Sequence, residues 1–133
     1  MSTGIVVDTS VWIDFFNQPQ SPLTLHVQNL LRDRRVVLVG MVLAEILQGI
    51  KNSKEALLVR QSLERLPYLE TTREDWQQAG ELSASLRRKG QTIPLSDLII
   101  GTMAIREGLE IFTTDPHFKK ITGLTIHQPI KSN

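Results

Sequence analysis

The sequence predicts a single α/β domain built around a mostly parallel β-sheet, and three observations indicate this fold class. Short apolar or β-branched runs alternate along the chain with longer segments whose apolar residues recur at helical spacing. No internal repeat, low-complexity segment or linker interrupts the 133 residues, so one domain spanning 1–133 is expected. Hydrophobic residues make up 41% of the chain, which is enough to fill a core between a sheet and helices on both of its faces.

The first predicted strand is the run IVV at 5–7, which is typical of a buried strand. Asp8 ends this run, and Thr9 and Ser10 are suitable N-cap residues for the helix that follows. A carboxylate therefore stands where a buried strand gives way to a helix. At this point Asp8 could serve only to cap the helix, or it could belong to a functional site.

Turn and capping residues delimit the remaining elements. Thr72 begins a long helix that Gly90 closes, Pro67 stops the helix before it, and Gly108 ends the last full helix. The further predicted strands lie at 36–40, 68–70, 109–113 and 124–127. The further predicted helices lie at 23–33, 41–51, 54–66, 73–89 and 96–107, with a short helical turn at 115–120.

The composition excludes several classes of protein. The chain has no cysteine, which excludes a disulfide framework and a thiolate metal site. The apolar run near the start is three residues long and no run approaches membrane-spanning length, so we expect a cytoplasmic protein without membrane contact. The net charge of +1 lacks the basic excess of many nucleic-acid-binding proteins, although a nuclease's central acids would offset basic residues elsewhere.

Four carboxylates are predicted to converge at the carboxyl edge of the sheet, where open α/β sheets bind ligands. Asp8 ends the first strand, Glu45 lies about one helical turn beyond the second, and Asp115 follows the fourth. Asp97 lies in the first turn of the helix that leads into the fourth strand, so that turn should lie at the same edge. The extended segment at 90–95 is long enough, at about 3.3 Å per residue, to carry the chain back across the sheet.

The sequence around these acids indicates a metal site. Their immediate neighbours are small, hydroxylic or apolar, and supply no arginine or lysine that would neutralise converging negative charges. A divalent cation is the natural partner, and an oxygen-only ligand set suits Mg²⁺ or Mn²⁺ rather than Zn²⁺.

The whole pattern resembles the PIN-domain family, and within it the VapC-type toxins of bacterial type II toxin–antitoxin systems. The blocks that carry the resemblance are, in order, IVVDTSVWIDFF, LAEILQGI, IPLSDLIIGTMAIREG and IFTTDPHF. The resemblance implies a three-layer α/β/α fold with sheet order 3-2-1-4-5 and a divalent-metal ribonuclease. It places the family's acidic site on Asp8, Glu45, Asp97 and Asp115. It places the family's supporting hydroxyls on Thr9 or Ser10 and on Thr113.

The expected activity is hydrolysis of RNA phosphodiester bonds by water that a bound Mg²⁺ activates. Asp8 and Asp97 are the preferred direct ligands, whereas Glu45 and Asp115 would act through water or hold a second ion. The resemblance further implies 5′-phosphate and 3′-hydroxyl products. It also implies a homodimer and a cognate VapB-like antitoxin, bound in a groove along the helical pair at 42–66.

The topology selects three basic residues as weaker candidates for contact with the RNA backbone, namely Arg73, Lys119 and Lys120. The basic groups at 32–35 and 87–89 are expected near the other end of the sheet. His117 follows Asp115 closely, and a surface or capping histidine is favoured there over one that contacts substrate.

Two other classes of function are open. A catalytically silent RNA- or protein-binding module could keep this fold without the metal, and titration with Mn²⁺ would distinguish it from a nuclease. An aspartyl-phosphate phosphatase would also place an aspartate after the first strand. That chemistry needs a second acid two residues later, where this chain has Ser10, so it ranks last.

Overall fold

A computed structural model describes residues 3–129 of the chain. Within this range the strands are β1 (Ile5–Val7), β2 (Val36–Val39), β3 (Tyr68–Leu69), β4 (Glu110–Phe112) and β5 (Thr125–Ile126). The α-helices are α1 (Thr9–Asn17), α2 (Pro22–Arg32), α3 (Gly40–Gln48), α4 (Ser53–Leu63), α5 (Arg73–Arg88) and α6 (Leu95–Glu107). A 3₁₀ helix covers Pro116–Lys120. Each predicted element is present.

The five strands form one parallel sheet in the order β3-β2-β1-β4-β5, which confirms the predicted α/β fold and its strand order. β1 lies at the centre, where it pairs with β2 on one side and β4 on the other, and all three of its residues are buried. An IVV run suits this position because a central parallel strand is covered on both faces.

The helices cover both faces of the sheet. The chain moves from β1 to β3 in one direction and then crosses back to β4, and right-handed crossovers in opposite directions place their helices on opposite faces. The first face carries α1 to α4, and the second carries α5, α6 and the 3₁₀ helix. α6 is buried without interruption from Asp97 to Ala104, so its first turn is enclosed by the fold. None of the helices between residues 3 and 129 has the length and apolar character needed to cross a membrane.

The path between α5 and α6 differs from the prediction. Arg106, in the last turn of α6, donates hydrogen bonds of 2.8 Å from Nε and Nη2 to the two carboxylate oxygens of Asp75, in the first turn of α5. The two helices therefore run antiparallel. The segment at 89–94 is the turn of a helical hairpin, and it does not carry the chain across the sheet. The end of α5 consequently lies beside the start of α6.

Several element boundaries also differ from the prediction, by one to three residues. β2 ends at Val39, and Gly40 already belongs to α3 instead of ending the strand. A Cβ atom at position 40 would lie 2.7 Å from Tyr68 Oη, so a larger residue there would require the Tyr68 side chain to move. α4 ends at Leu63, three residues before the predicted end at 66. The strong stop signal of a proline marks the latest possible end of a helix, which can finish earlier.

Asp75 anchors the far end of the α5–α6 hairpin and is 1% exposed. It forms a capping box with Thr72, whose hydroxyl accepts a hydrogen bond from the Asp75 backbone N–H. Burial alone would raise the pKa of Asp75. The hydrogen bonds from Arg106 and Thr72 outweigh burial and hold that pKa below its usual value.

We expect Arg106→Ala to lower the free energy of unfolding by about 2 kcal/mol at pH 7, because it removes the charged hydrogen-bond donor of a buried carboxylate. Stability from a lowered carboxyl pKa is present above the unfolded value of 3.8 and is lost as the pH falls. The difference between the variant and the parent should therefore shrink below that pH. Urea denaturation at several pH values measures both effects.

Arg60→Ala is the matched control for this prediction. Arg60 pairs with Glu64 at 3.6 Å on the surface of α4, where both side chains are more than half exposed. An exposed pair of this kind contributes less than about 0.5 kcal/mol. Equal destabilisation by the two substitutions would contradict a special role for the Arg106–Asp75 pair.

Candidate metal centre

Asp8 directly follows β1 and occupies the N-cap position of α1, yet its carboxylate makes no capping hydrogen bond to the helix backbone. Its Oδ2 instead accepts hydrogen bonds of 2.9 Å from Ser10 Oγ and from Thr113 Oγ1. The residue is 5% exposed. The interpretation of Asp8 as only a helix cap is therefore not supported. Two hydroxyls hold one carboxylate oxygen, and Oδ1 remains for another partner.

Glu45 is held by a different hydroxyl. It lies in α3 and accepts a 2.9 Å hydrogen bond at Oε1 from Thr9 Oγ1, at the start of α1. The two hydroxylic residues that follow Asp8 thus serve different carboxylates, since Ser10 bonds to Asp8 and Thr9 bonds to Glu45. This contact joins α1 to α3 across the edge of the sheet.

Asp97 and Asp115 meet on either side of an imidazole. His117 Nδ1 lies 3.2 Å from Asp97 Oδ2 and 3.0 Å from Asp115 Oδ1. One ligand atom from each of the three residues falls within 4.8 Å of the other two, a spacing that could hold a metal ion. The structure therefore adds His117 to the acidic site, where the sequence favoured a surface or capping role.

Local structure fixes the loop that carries Asp115 and His117. The Asp115 carboxylate caps the 3₁₀ helix by accepting a 2.9 Å hydrogen bond from the His117 backbone N–H. Thr113 Oγ1 accepts a hydrogen bond from the Asp115 backbone N–H while it donates to Asp8. Phe118 is completely buried and anchors the helix in the core. Thr113 thus links the two halves of the site.

The electrostatics of Asp97 are those of a crowded, buried acid. Burial, together with the negative charges of Asp8 and Asp115, raises the pKa of Asp97 to about 6, although the hydrogen bond with His117 opposes the rise. A nearby cation would lower the pKa of Asp97 again, because it would stabilise the ionised carboxylate. The carboxylates of Asp8, Asp97 and Asp115 therefore form one electrostatic unit.

The four acids fit a divalent cation by their donor atoms. Each of the four acids has one carboxylate oxygen that accepts no hydrogen bond from residues 3–129. These oxygens are Asp8 Oδ1, Glu45 Oε2, Asp97 Oδ1 and Asp115 Oδ2. In the same part of the chain, no lysine or arginine forms a salt bridge with these acids. Free carboxylate oxygens without a protein cation are the donors that Mg²⁺ and Mn²⁺ prefer.

The basic residues agree with the prediction only for the lysines. Lys119 and Lys120 are exposed on the 3₁₀ helix directly after the site. Arg73 begins α5, at the end of the hairpin marked by the Arg106–Asp75 pair. Asp97 lies nine residues before Arg106 in α6, or roughly 13 Å away at 1.5 Å per residue. The structure therefore does not bring Arg73 to the acids.

The basic run at 87–89 lies at the same end of the α5–α6 hairpin as Asp97. The prediction had placed this run at the end of the sheet away from the acids. The last turn of α5 contains Arg87 and Arg88, and both are exposed. Roughly 18 Å of helix separate Asp75 from Arg87, at 1.5 Å per residue. Because α5 and α6 are antiparallel, this length brings the run beside the first turn of α6. The sequence run was visible, but its position depended on the direction of α5.

Comparisons with known proteins agree with this arrangement. The sequence profile of the PIN domain family matches residues 5–124. Ribonuclease VapC11 of Mycobacterium tuberculosis is 28% identical over 125 residues, which cover 91% of this chain and 93% of that protein. Ribonuclease VapC2 of Rickettsia felis is 25% identical over 126 residues, which cover 91% of this chain and 94% of that protein.

Solved structures share the fold. VapBC2 from Rickettsia felis, bound to a DNA fragment from its promoter, superimposes with a TM-score of 0.78 and 23% identity. That alignment covers 92% of this chain and 96% of the other. The family profile spans most of the chain, and the strand order and helix arrangement are those of the VapC structures. The chain therefore belongs to the PIN domain family.

Proposed function

We propose that this chain is a divalent-metal-dependent endoribonuclease toxin that hydrolyses RNA phosphodiester bonds and is inhibited by a cognate VapB-like antitoxin. The observation that carries the proposal is the clustering of Asp8, Asp97 and Asp115 without a neutralising lysine or arginine among the described residues, with Glu45 held next to this cluster by Thr9. The names of the relatives, which are VapC ribonucleases, support RNA as the substrate class.

The four acids are proposed to bind Mg²⁺ or Mn²⁺ in two different ways. Asp8 and Asp97 are the preferred direct ligands, and Glu45 and Asp115 act through water or hold a second ion. When bound, the ion would supply a Lewis acid that polarises the phosphate and lowers the pKa of water. The carboxylates also exclude other anions from the site until the cation is present, since their own charges repel a phosphate.

The supporting hydroxyls keep this donor set in position. Ser10 and Thr113 fix Oδ2 of Asp8, and Thr9 fixes Oε1 of Glu45. These hydrogen bonds restrain the carboxylates of Asp8 and Glu45 and leave the second oxygen of each for a cation. Positioned ligands of this kind lower the cost of forming the reactive geometry.

The test is incubation of the purified protein with total RNA and Mg²⁺ or Mn²⁺, followed by mapping of the new RNA ends. We expect discrete cleavage sites with 5′-phosphate and 3′-hydroxyl ends. Absence of cleavage with either ion would overturn the proposal and favour the silent binding module. Calorimetric titration with Mn²⁺ would then show whether the acids bind metal at all.

RNA is expected to approach across the basic residues beside the site. We expect the double substitution Arg87→Ala and Arg88→Ala to weaken RNA binding about tenfold at low salt. Loss of two phosphate contacts should also make the binding constant for single-stranded RNA less dependent on salt. The slope of its logarithm against the logarithm of the salt concentration should fall in magnitude by about 1.4. Fluorescence anisotropy of labelled RNA in EDTA measures binding without cleavage. The same measurement on the double variant Lys119→Ala and Lys120→Ala tests whether the 3₁₀ helix contributes to RNA affinity.

Arg73→Ala is the matched control, because Arg73 is also exposed on α5 but lies at the opposite end of the hairpin. Its RNA affinity should stay within about twofold of the parent. Equal losses from Arg73→Ala and from the double variant would show that the whole helix, and not the end beside the acids, attracts RNA.

The antitoxin is proposed to occupy a groove between α1, α3 and α4. A cavity of about 290 Å³ lies there, and its apolar lining includes Ile13, Phe16, Ile46 and Val59. Glu45 lies on the wall of the same cavity, so a segment seated in the groove would reach the acidic site. An amphipathic helix fits such a groove by placing its apolar face inward. Co-expression with the product of a neighbouring gene, followed by co-purification, tests this binding.

A homodimer is proposed for the toxin itself. Leu57 and Leu58 on α4 are 44% and 64% exposed. Burial of neighbouring exposed leucines against a second subunit would stabilise a dimer. The molar mass in solution, measured by light scattering at micromolar concentration, distinguishes a dimer from a monomer.

A further inference from the structure

His117 is the one member of the site that the acidic mechanism does not use. It is 20 residues from Asp97 along the chain, and its Nδ1 nevertheless lies within 3.2 Å of oxygens from both Asp97 and Asp115. Its side chain is 38% exposed, so solvent and ions can reach the imidazole.

The main chain holds the imidazole in this place. The His117 backbone N–H donates to Asp115 Oδ1, and the same oxygen lies 3.0 Å from Nδ1. The next residue, Phe118, is fully buried, which fixes the backbone on the other side. The imidazole is therefore a positioned part of the site, unlike a histidine on a free surface.

The separations match those of neighbouring ligands around one ion. Adjacent ligand atoms in an octahedron with bonds of about 2.1 Å lie roughly 3.0 Å apart. In the structure, His117 Nδ1 lies 3.0 Å from the Asp115 oxygen and 3.2 Å from the Asp97 oxygen. All three ligand atoms lie within 4.8 Å of one another, a spacing that could hold one cation.

We propose that His117 supplies a nitrogen ligand beside Asp97 and Asp115, so that this site prefers Mn²⁺ to Mg²⁺ more strongly than its carboxylates alone would. The proposal deepens the proposed function, on which it rests for the presence of a metal. An all-oxygen site suits Mg²⁺ and Mn²⁺ alike, whereas imidazole favours transition-metal ions. His117 would therefore shift the choice of ion without adding charge to the site.

The competing explanation is that His117 only donates a hydrogen bond that positions the two carboxylates. In that case its removal should weaken both ions equally. If His117 binds the ion directly, its removal should weaken the binding of Mn²⁺ more than the binding of Mg²⁺. The ratio of the two dissociation constants therefore separates the explanations, and it requires no RNA.

The experiment measures Mn²⁺ and Mg²⁺ binding by calorimetry for the parent, His117→Ala and His117→Asp. We expect His117→Ala to weaken Mn²⁺ binding by about tenfold and Mg²⁺ binding by less than about threefold. His117→Asp restores an oxygen donor but not a hydrogen-bond donor, and it should retain Mg²⁺ binding. His26→Gln is the control, since His26 packs against Phe112 and His127 outside the acidic site.

Electron spin-echo spectroscopy of the Mn²⁺-loaded protein gives a second readout. Coordinated ¹⁴N should modulate the signal of the parent and of His26→Gln, and the modulation should vanish in His117→Ala. Equal losses for both ions, or no nitrogen modulation in the parent, would overturn the proposal. If Mn²⁺ binds with nitrogen modulation but RNA is not cleaved, the ligand assignment stands and the proposed function falls.

Discussion

Asp97→Asn is expected to reduce RNA cleavage by at least about 100-fold while the fold remains intact. Substitutions of groups that only support metal ligands typically cost 10–100-fold in metal affinity or activity, so the loss of a direct ligand should exceed that range. Asparagine has nearly the same shape as aspartate, but its neutral amide does not attract a divalent cation in the same way. Initial rates on a defined RNA, at saturating Mg²⁺ and then Mn²⁺, measure the change.

The stability of this variant separates a functional effect from unfolding. Because burial raises the pKa of Asp97 to about 6, the ionised carboxylate is disfavoured in the folded protein. A neutral amide should therefore leave the metal-free thermal midpoint unchanged or raise it. Asp33→Asn is the matched control, since Asp33 is an exposed residue at the end of α2, and it should keep full activity. Full activity in Asp97→Asn would remove Asp97 from the set of ligands.

Removal of divalent ions is expected to abolish cleavage completely and reversibly. EDTA should stop the reaction, and excess Mg²⁺ or Mn²⁺ should restore it, because no lysine or arginine among the described residues forms a salt bridge with the acids and an ion is needed to polarise the phosphate. The same ions should stabilise the folded protein. At an ion concentration 100 times the dissociation constant, the expected gain is about 2.7 kcal/mol.

A control with KCl at matched ionic strength distinguishes binding from screening. Screening would weaken the repulsion between Asp8, Asp97 and Asp115 and could stabilise the protein without any specific site. Specific binding should produce a larger thermal shift with the divalent ion than with KCl, and the excess should disappear in Asp97→Asn. Cleavage that persists in EDTA would contradict a metal-dependent mechanism.

Local sequence patterns were sufficient for the sheet and for the position of most acids. An apolar run followed by aspartate, as at Asp8, encodes both the strand and the carboxylate at its end. The edge at which such residues meet then follows from the parallel arrangement. Asp97 lies at the predicted edge, but the chain reaches that edge along α5, and the segment at 89–94 is only the turn between α5 and α6.

Long-range contacts explain what the sequence did not reveal. Helical periodicity shows that α5 exists, but its direction is evident only from tertiary contacts such as the Arg106–Asp75 pair, whose members are 31 residues apart. Arg73 and the run at 87–89 were therefore assigned to the wrong ends. The closeness of His117 to Asp115 was visible as a spacing of two residues, which would have been a signal. Its approach to Asp97 required the tertiary fold.

The outer strands of the sheet determine how other chains can approach it. β3 and β5, at the two edges, contain two residues each. An added strand could form only a few main-chain hydrogen bonds with so short an edge, which offers a poor template for β-sheet extension and for aggregation. Protein partners are therefore expected to dock on the helices, and their specificity should depend on side-chain packing instead of a continuous backbone ladder.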